Sequence, residues 1–102
     1  MYPRVGDAAT LLYPQDRVPY EVEKVSPARH KITLVEISTT GLAPNYRHNG
    51  FPVFDRVFAP DECAARKTNS TIDAYRRKDG EYYHCAMRVE IGQARYYRDH
   101  SE

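Results

Sequence analysis

The stretch from Thr71 to Met87, TIDAYRRKDGEYYHCAM, is the part of the sequence that decides the fold prediction. Two runs rich in β-forming residues, 71–78 and 81–87, flank the pair Asp79-Gly80. An Asp-Gly pair favours a two-residue hairpin turn, because both central residues of a type I′ turn need a positive φ. The sequence therefore predicts a β-hairpin that turns at Asp79 and Gly80.

The register of this hairpin predicts which side chains share a face. Across a two-residue turn, Arg77 lies opposite Tyr82 and Tyr75 lies opposite His84. The face expected to point into the core consists of Ile72, Ala74, Cys85 and Met87. The face expected to point outward contains Tyr75, Arg77, Tyr82 and His84, and we interpret these four residues as a ligand- or partner-binding surface. Tyr and Arg are the residues most enriched at binding hot spots.

Short alternating runs bounded by turn residues continue on the N-terminal side. They predict strands at 8–13, 18–25, 30–37 and 53–58, with a β-bulge near Lys24. Residues 38–52 are expected to form a long loop, and 59–66 is the one place for a short helical turn, with Pro60 at its first position. The whole chain, 1–102, is expected to be a single, mainly β domain: a small SH3-like half-open barrel with a C-terminal Asp-Gly hairpin and at most one short helix.

Composition directs attention to local surfaces. The net charge of +1 gives no bulk reason for binding nucleic acid or an anionic membrane. However, 11 of the 15 basic residues are Arg and nine of the 12 aromatic residues are Tyr. Such a composition suits a recognition surface, and it equally suits a thin β domain that uses Tyr where larger cores use Phe.

A second cluster of the same residue types lies near the C-terminus. Arg95, Tyr96 and Tyr97 are followed by Arg98. Side chains of this kind stack on bases and pair with phosphates, and they also form subunit interfaces. The alternative is that one Tyr of this cluster closes the end of the barrel.

No arrangement typical of catalysis or metal binding is found. His84 and Cys85 are adjacent, so on a strand they point to opposite faces. Cys63, Cys85, His48 and His84 lack the close spacing of zinc ligands. There is no Gly-rich phosphate loop or nucleophile elbow. We therefore expect a non-enzymatic protein with no catalytic residue, metal or cofactor.

The expected location is the cytoplasm. No apolar run approaches the length of a membrane span, and the N-terminus lacks the apolar core of a signal peptide. In that compartment Cys63 and Cys85 are expected to be reduced thiols.

Several segments resemble small uncharacterised proteins of tailed phages and prophages. They are Val5-Gly6-Asp7, Asp16-Arg17, Pro19-Tyr20-Glu21-Val22, Arg76-Arg77-Lys78-Asp79-Gly80 and Ile91-Gly92-Gln93-Ala94-Arg95-Tyr96-Tyr97. The resemblance covers most of the chain outside residues 38–70. It implies a phage-borne protein that works inside the infected host cell, with no activity attached. The first three strands also resemble Tudor- and KOW-type SH3-like barrels, in which Gly-Asp opens the first strand.

Three functions from different classes remain open at this point. The first is a counter-defence protein that sequesters a small anionic, nucleotide-type ligand, with the pocket at a homo-oligomer interface. The second is a protein–protein module that inhibits or redirects a host protein. The third is an SH3-like nucleic-acid binder, against which the nearly neutral net charge argues.

Overall fold

The computed structural model describes residues 2–46 and 52–99, and within these ranges the chain is mainly β. The strands are β1 (Ala8–Leu12), β2 (Arg17–Val25), β3 (Lys31–Ile37), β4 (Asn45–Tyr46), β5 (Pro52–Phe58), β6 (Lys67–Arg76), β7 (Tyr82–His84), β8 (Met87–Ile91) and β9 (Ala94–Asp99). One short helix, α1 (Pro60–Ala65), connects β5 to β6. The prediction of a mainly β chain with one short helix is confirmed.

Six of the strands close into a barrel in the order β1-β8-β7-β6-β3-β2. Closure depends on β1, which pairs with β2 along one edge and with β8 along the other. The predicted half-open barrel is therefore wrong, because β1 has a hydrogen-bonded partner on both sides. Strands β9, β5 and β4 extend the sheet outside the ring, and β9 joins β2 where Tyr97 pairs with Arg17.

The barrel interior follows the two-residue period of the strands. Its fully buried members include Leu11, Val22, Ile32 and Leu34, and each such side chain contributes roughly 1.5–3 kcal/mol of burial free energy. The predicted bulge is also present: Val22 pairs with Leu34 and Lys24 with Thr33, so that Glu23 is the extra residue. The bulge restores the phase of the strand, and Val25 packs against the core.

A second apolar cluster lies under α1. It consists of Ile37, Phe58, Cys63 and Ala94, all of which are buried. The helix begins with Pro60, as predicted, and the Glu62 carboxylate accepts a hydrogen bond from the N–H of Ala59 at 3.3 Å. Burial raises the pKa of the Cys63 thiol, which keeps this side chain in its neutral, apolar form.

The hairpin around Asp79 and Gly80 forms in a different register from the one predicted. Its loop has three residues, because the N–H of Arg77 donates to the carbonyl of Glu81 at 2.9 Å and the N–H of Gly80 donates to the carbonyl of Arg77 at 2.9 Å. Tyr75 then lies opposite Tyr83, and Arg76 lies opposite Tyr82. The predicted two-residue turn is wrong, and the error shifts the pairing by one residue.

This shift changes which side chains are buried. Tyr82, predicted to face outward, is only 4% exposed. Cys85, predicted to face inward, is exposed in the tight turn between β7 and β8, where its φ is 56°. The prediction holds for Ala74, which is buried, and for Ile72 and Met87, which pack against the core.

Two boundaries also differ from the sequence prediction. Strand β6 begins at Lys67 rather than at Thr71, and β4 lies within the predicted loop 38–52. The part of that loop from 47 to 51 lies outside the described residues. Among the described residues, no helix has the length and apolar character needed to cross a membrane.

Candidate anion-binding groove

A groove of about 510 Å³ lies at the end of the barrel where the N-terminal segment meets the β6–β7 hairpin. Its lining consists of Tyr2, Arg76, Arg77, Lys78, Gly80 and Tyr82. Three consecutive basic residues thus reach one concavity at the end of β6. A second groove of about 270 Å³ lies beside it and is lined by Tyr2, Pro3, Arg4 and Arg29. The two grooves share Tyr2.

The N-terminal segment is held so that Tyr2 lies over two guanidinium groups. Pro3 is buried, the Asp7 carboxylate accepts a hydrogen bond from the N–H of Arg4 at 2.8 Å, and the N–H of Gly6 donates to the carbonyl of Val22 at 2.8 Å. The ring centre of Tyr2 is 4.6 Å from the Arg29 guanidinium carbon and 5.4 Å from that of Arg76. Both distances are typical of cation–π contacts.

The turn that carries Arg29 is fixed from several sides. Arg29 has a φ of 60°, and its N–H donates to the carbonyl of Ser26 at 2.9 Å. Its own carbonyl accepts a hydrogen bond from the Tyr82 hydroxyl, and the N–H of Arg76 donates to the carbonyl of His30 at 2.8 Å. The backbone under Arg29 is therefore ordered before any ligand binds, which reduces the entropy lost on binding.

Tyr82 forms part of the lining and supports Arg29 from below. Burial raises the pKa of its phenol, although the positive charges of Arg76 and Arg29 act in the opposite direction. The phenol therefore stays protonated at neutral pH and keeps donating to the Arg29 carbonyl.

Arg77 is held at the other side of the groove. One of its guanidinium nitrogens donates to the carbonyl of Cys85 at 2.7 Å, and its guanidinium carbon lies 4.2 Å from the ring centre of Tyr83. The nearby Asp79 carboxylate accepts hydrogen bonds from the Tyr83 hydroxyl at 2.6 Å and from the N–H of Glu81 at 2.9 Å. The hydrogen bond from Tyr83 is the main reason that the pKa of Asp79 is lowered. Asp79 is thus bound to its own loop.

No cation of the two grooves forms an ion pair within the described part of the chain, although the positive charge of Arg77 helps to lower the pKa of the neighbouring Asp79 carboxyl. The ion pairs there join Arg56 to Glu62, Lys67 to Glu21, Arg88 to Glu81 and Arg95 to Asp55. None of these pairs involves Arg4, Arg29, Arg76, Arg77 or Lys78. Five positive charges therefore surround Tyr2 without a described carboxylate at ion-pair distance, although the net charge of the chain is only +1.

The structure separates the predicted site residues. Arg77 and Tyr82 line the larger groove, whereas Tyr75 is 52% exposed outside it. His84 also lies outside the groove, with its Nδ1 atom 2.8 Å from the carbonyl oxygen of Asp73. The outward hairpin face therefore does not form one surface as predicted.

The C-terminal cluster is divided between the two faces of β9. Arg95 and Tyr97 line a groove of about 300 Å³ together with Arg17. Tyr96 instead contacts Phe54, with ring centres 5.3 Å apart. The Nε atom of Arg95 donates to the Asp55 carboxylate at 3.1 Å, so its charge is already balanced. This groove is a weaker candidate for an anion than the one at Tyr2.

The sequence analysis missed Tyr2, Arg29, Arg76 and Lys78 as site residues. Arg76-Arg77-Lys78 is the only run of three basic residues in the chain, and its position beside an Asp-Gly turn was a usable signal. Tyr2 and Arg29 carry no such signal, because only the closed barrel brings them to the hairpin.

The structure places no zinc-like cluster among the described residues. In the ranges 2–46 and 52–99, no three His, Cys, Asp or Glu side chains come together as metal ligands would. His48 of the sequence analysis lies outside those ranges. In comparisons with family models, curated proteins and solved structures, nothing matches this chain.

Proposed function

We propose that this protein is a non-enzymatic binding protein that takes a small anionic, nucleotide-type ligand in the groove at Tyr2. The observation that carries the proposal is the convergence of Arg76, Arg77 and Lys78 on one concavity, with none of the three in an ion pair within the described part of the chain. Guanidinium groups bind phosphate with two parallel hydrogen bonds, and such charge-assisted bonds are about twice as strong as neutral ones.

The groove also offers the apolar contact that a nucleobase or ribose needs. Tyr2 is 48% exposed, and it lines both grooves. Aromatic faces stack on bases of any sequence. A free phosphate ion would use only the cations of the site, whereas a nucleotide would use the cations and the ring.

The phage resemblance gives this binding activity a setting. A phage protein that sequesters a nucleotide signal in the infected cell would act in counter-defence, and the pocket would gain a further wall if the protein formed a homo-oligomer. Light scattering of the free and the nucleotide-bound protein tests the oligomer.

We also propose an SH3-like relationship, which rests on the meander of β1, β2 and β3 that follows Gly6-Asp7. If the relationship is correct, strands β1 to β3 of an experimental structure should superpose on Tudor-type barrels.

The experiment is a binding measurement by titration calorimetry with adenine and guanine nucleotides, and with the nucleosides adenosine and guanosine as uncharged controls. We expect nucleotides to bind and nucleosides not to bind. Arg77→Gln should weaken nucleotide binding by ~1–3 kcal/mol, because it removes a charged hydrogen-bond donor. It should lower the melting temperature only slightly, because the hydrogen bond to Cys85 and the contact with Tyr83 that it removes lie at the exposed surface.

Arg98→Gln is the matched control, because it removes the same charge from an exposed residue of β9. Its nucleotide affinity should equal that of the wild type. If no nucleotide binds but a host protein is retained in an Arg77-dependent way, the protein–protein alternative is correct. If nucleotide binding survives Arg77→Gln and Arg76→Gln unchanged, the site lies elsewhere.

A further inference from the structure

The two grooves at Tyr2 are neighbours, because the side chain of Tyr2 lines both of them. We propose that they form a single bipartite site for a ligand with two or more linked phosphates, that is, a nucleoside diphosphate or a longer homologue. In this site Arg29 is the residue that selects for the second phosphate. The inference rests on the proposed function and specifies its ligand class.

Tyr2 connects the two halves of the site. It lines both grooves, and its ring is within cation–π distance of one guanidinium from each half, Arg76 at 5.4 Å and Arg29 at 4.6 Å. The two guanidinium carbons can be no further apart than these two distances combined. Two phosphates that share a bridging oxygen can span this distance when each of them accepts hydrogen bonds from one of the two guanidinium groups.

The charges of the site exceed what one phosphate can balance. Arg76, Arg77 and Lys78 line the larger groove, and Arg4 and Arg29 line the smaller one. A phosphate monoester carries about −1.5 to −2 at neutral pH. A single phosphate in the larger groove would leave Arg29 without a counter-charge, whereas Arg4 has the Asp7 carboxylate beside its own N–H. A linked second phosphate adds negative charge at the place where Arg29 lies.

Arg29 is better suited to selection than Arg4, because the backbone of Arg29 is bonded to Tyr82 of the larger groove, whereas among the described residues the backbone of Arg4 is bonded only to Asp7 of its own segment. The Tyr82 hydroxyl, which lies under the larger groove, donates to the carbonyl of Arg29. The N–H of Arg29 is bonded within its own turn to Ser26 at 2.9 Å. A guanidinium on a fixed backbone loses less freedom when it forms bidentate hydrogen bonds to a phosphate. Tyr82 lines the larger groove and also bonds the backbone of Arg29, so the two halves of the site form one unit.

The test is a calorimetric titration of AMP, ADP, ATP and inorganic pyrophosphate into the wild type and into Arg29→Gln. For the wild type we expect ADP to bind at least ~10-fold more tightly than AMP, the usual effect of an added charged hydrogen bond. Arg29→Gln should weaken ADP binding by ~10-fold or more and leave AMP binding within ~2-fold. Arg76→Gln should weaken both, because it acts on the half that holds the first phosphate.

Two controls keep the outcomes distinct. Arg98→Gln should leave every affinity unchanged, and Arg4→Gln provides a second variant of the smaller groove should Arg29→Gln melt early. If AMP and ADP bind equally well and Arg29→Gln affects neither, the bipartite site is overturned while the proposed function stands. If neither AMP nor ADP binds, the proposed function fails. A ten-residue oligothymidylate that binds more tightly than ADP would also overturn the inference, in favour of a single-stranded nucleic acid.

Discussion

At the scale of the residue, buried phenols make the stability of this protein sensitive to high pH. Tyr20 is 6% exposed, and burial together with the nearby charge of Glu36 raises its pKa from 10.0 to about 12. In the unfolded chain the phenol loses its proton first. The stabilisation is therefore complete below pH 10 and is lost as the pH rises to about 12.

We expect the free energy of unfolding to fall by up to ~3 kcal/mol across this interval, since one pKa unit corresponds to about 1.4 kcal/mol. Denaturant titrations at a series of pH values measure it. Tyr20→Phe should remove most of the slope, and Tyr82 should supply part of the remainder because its pKa is raised too. A slope unchanged by Tyr20→Phe would assign the effect to another group.

The burial of a residue could be predicted where it depends on the alternation of side chains along one strand. It could not be predicted where it depends on contacts between distant segments. Alternation along single strands places Leu11, Ile32 and Leu34 in the core, and these are fully buried. Tyr2 and Arg29 are 27 positions apart in the sequence. No local pattern brings them together, so the residue that both grooves share and the Arg29 side of the smaller groove could not be found from the sequence.

At the scale of the element, the hairpin shows why an Asp-Gly pair leaves the register open. The same pair fits a two-residue turn with two positive φ values and a three-residue loop in which the last residue alone is left-handed. Here Gly80 has a φ of 85°, and Asp79 instead accepts a hydrogen bond from the N–H of Glu81 at 2.9 Å. The longer loop turns Tyr82 into the barrel, where its burial favours this register.

Gly80 supplies the test of this loop. A Cβ at residue 80 would meet no atom within 4 Å, so Gly80→Ala adds strain only through its positive φ. We expect it to lower the free energy of unfolding by ~1 kcal/mol. Gly80→Asn should cost less, because Asn tolerates the left-handed region better. Equal effects of the two substitutions in denaturant titrations would contradict a left-handed residue 80.

At the scale of the whole molecule, the described chain consists of a closed barrel and a three-stranded extension. The apolar cluster under α1 lies between them, because it combines Ile37 of β3 with Phe58 of β5 and Ala94 of β9. The strand pairing of the barrel with the extension is limited to Arg17 with Tyr97. Thr10, a residue of β1, adds two hydrogen bonds: its hydroxyl donates to the carbonyl of Gln93 at 2.6 Å and accepts from the N–H of Arg95 at 2.9 Å. The alternating runs predicted a small barrel, but nothing in them indicated that Thr10 connects the barrel to the extension.

Thr10→Val therefore tests how far the extension depends on the barrel. Thr10 is 1% exposed, and Val has nearly the same shape without the hydroxyl, so the substitution leaves the N–H of Arg95 unpaired at a partly buried position. We expect a loss of ~1–3 kcal/mol in the free energy of unfolding. Thr10→Ser keeps the hydroxyl and loses only a methyl group, so it should retain both bonds.

Hydrogen exchange should show which strands lose protection in Thr10→Val. Amides of β9 and β5 should exchange faster than in the wild type, while those of β2, β3 and β6 keep their protection relative to global unfolding. If all strands of Thr10→Val lose protection equally, the barrel and the extension unfold as one cooperative unit, and the two parts are not energetically separate.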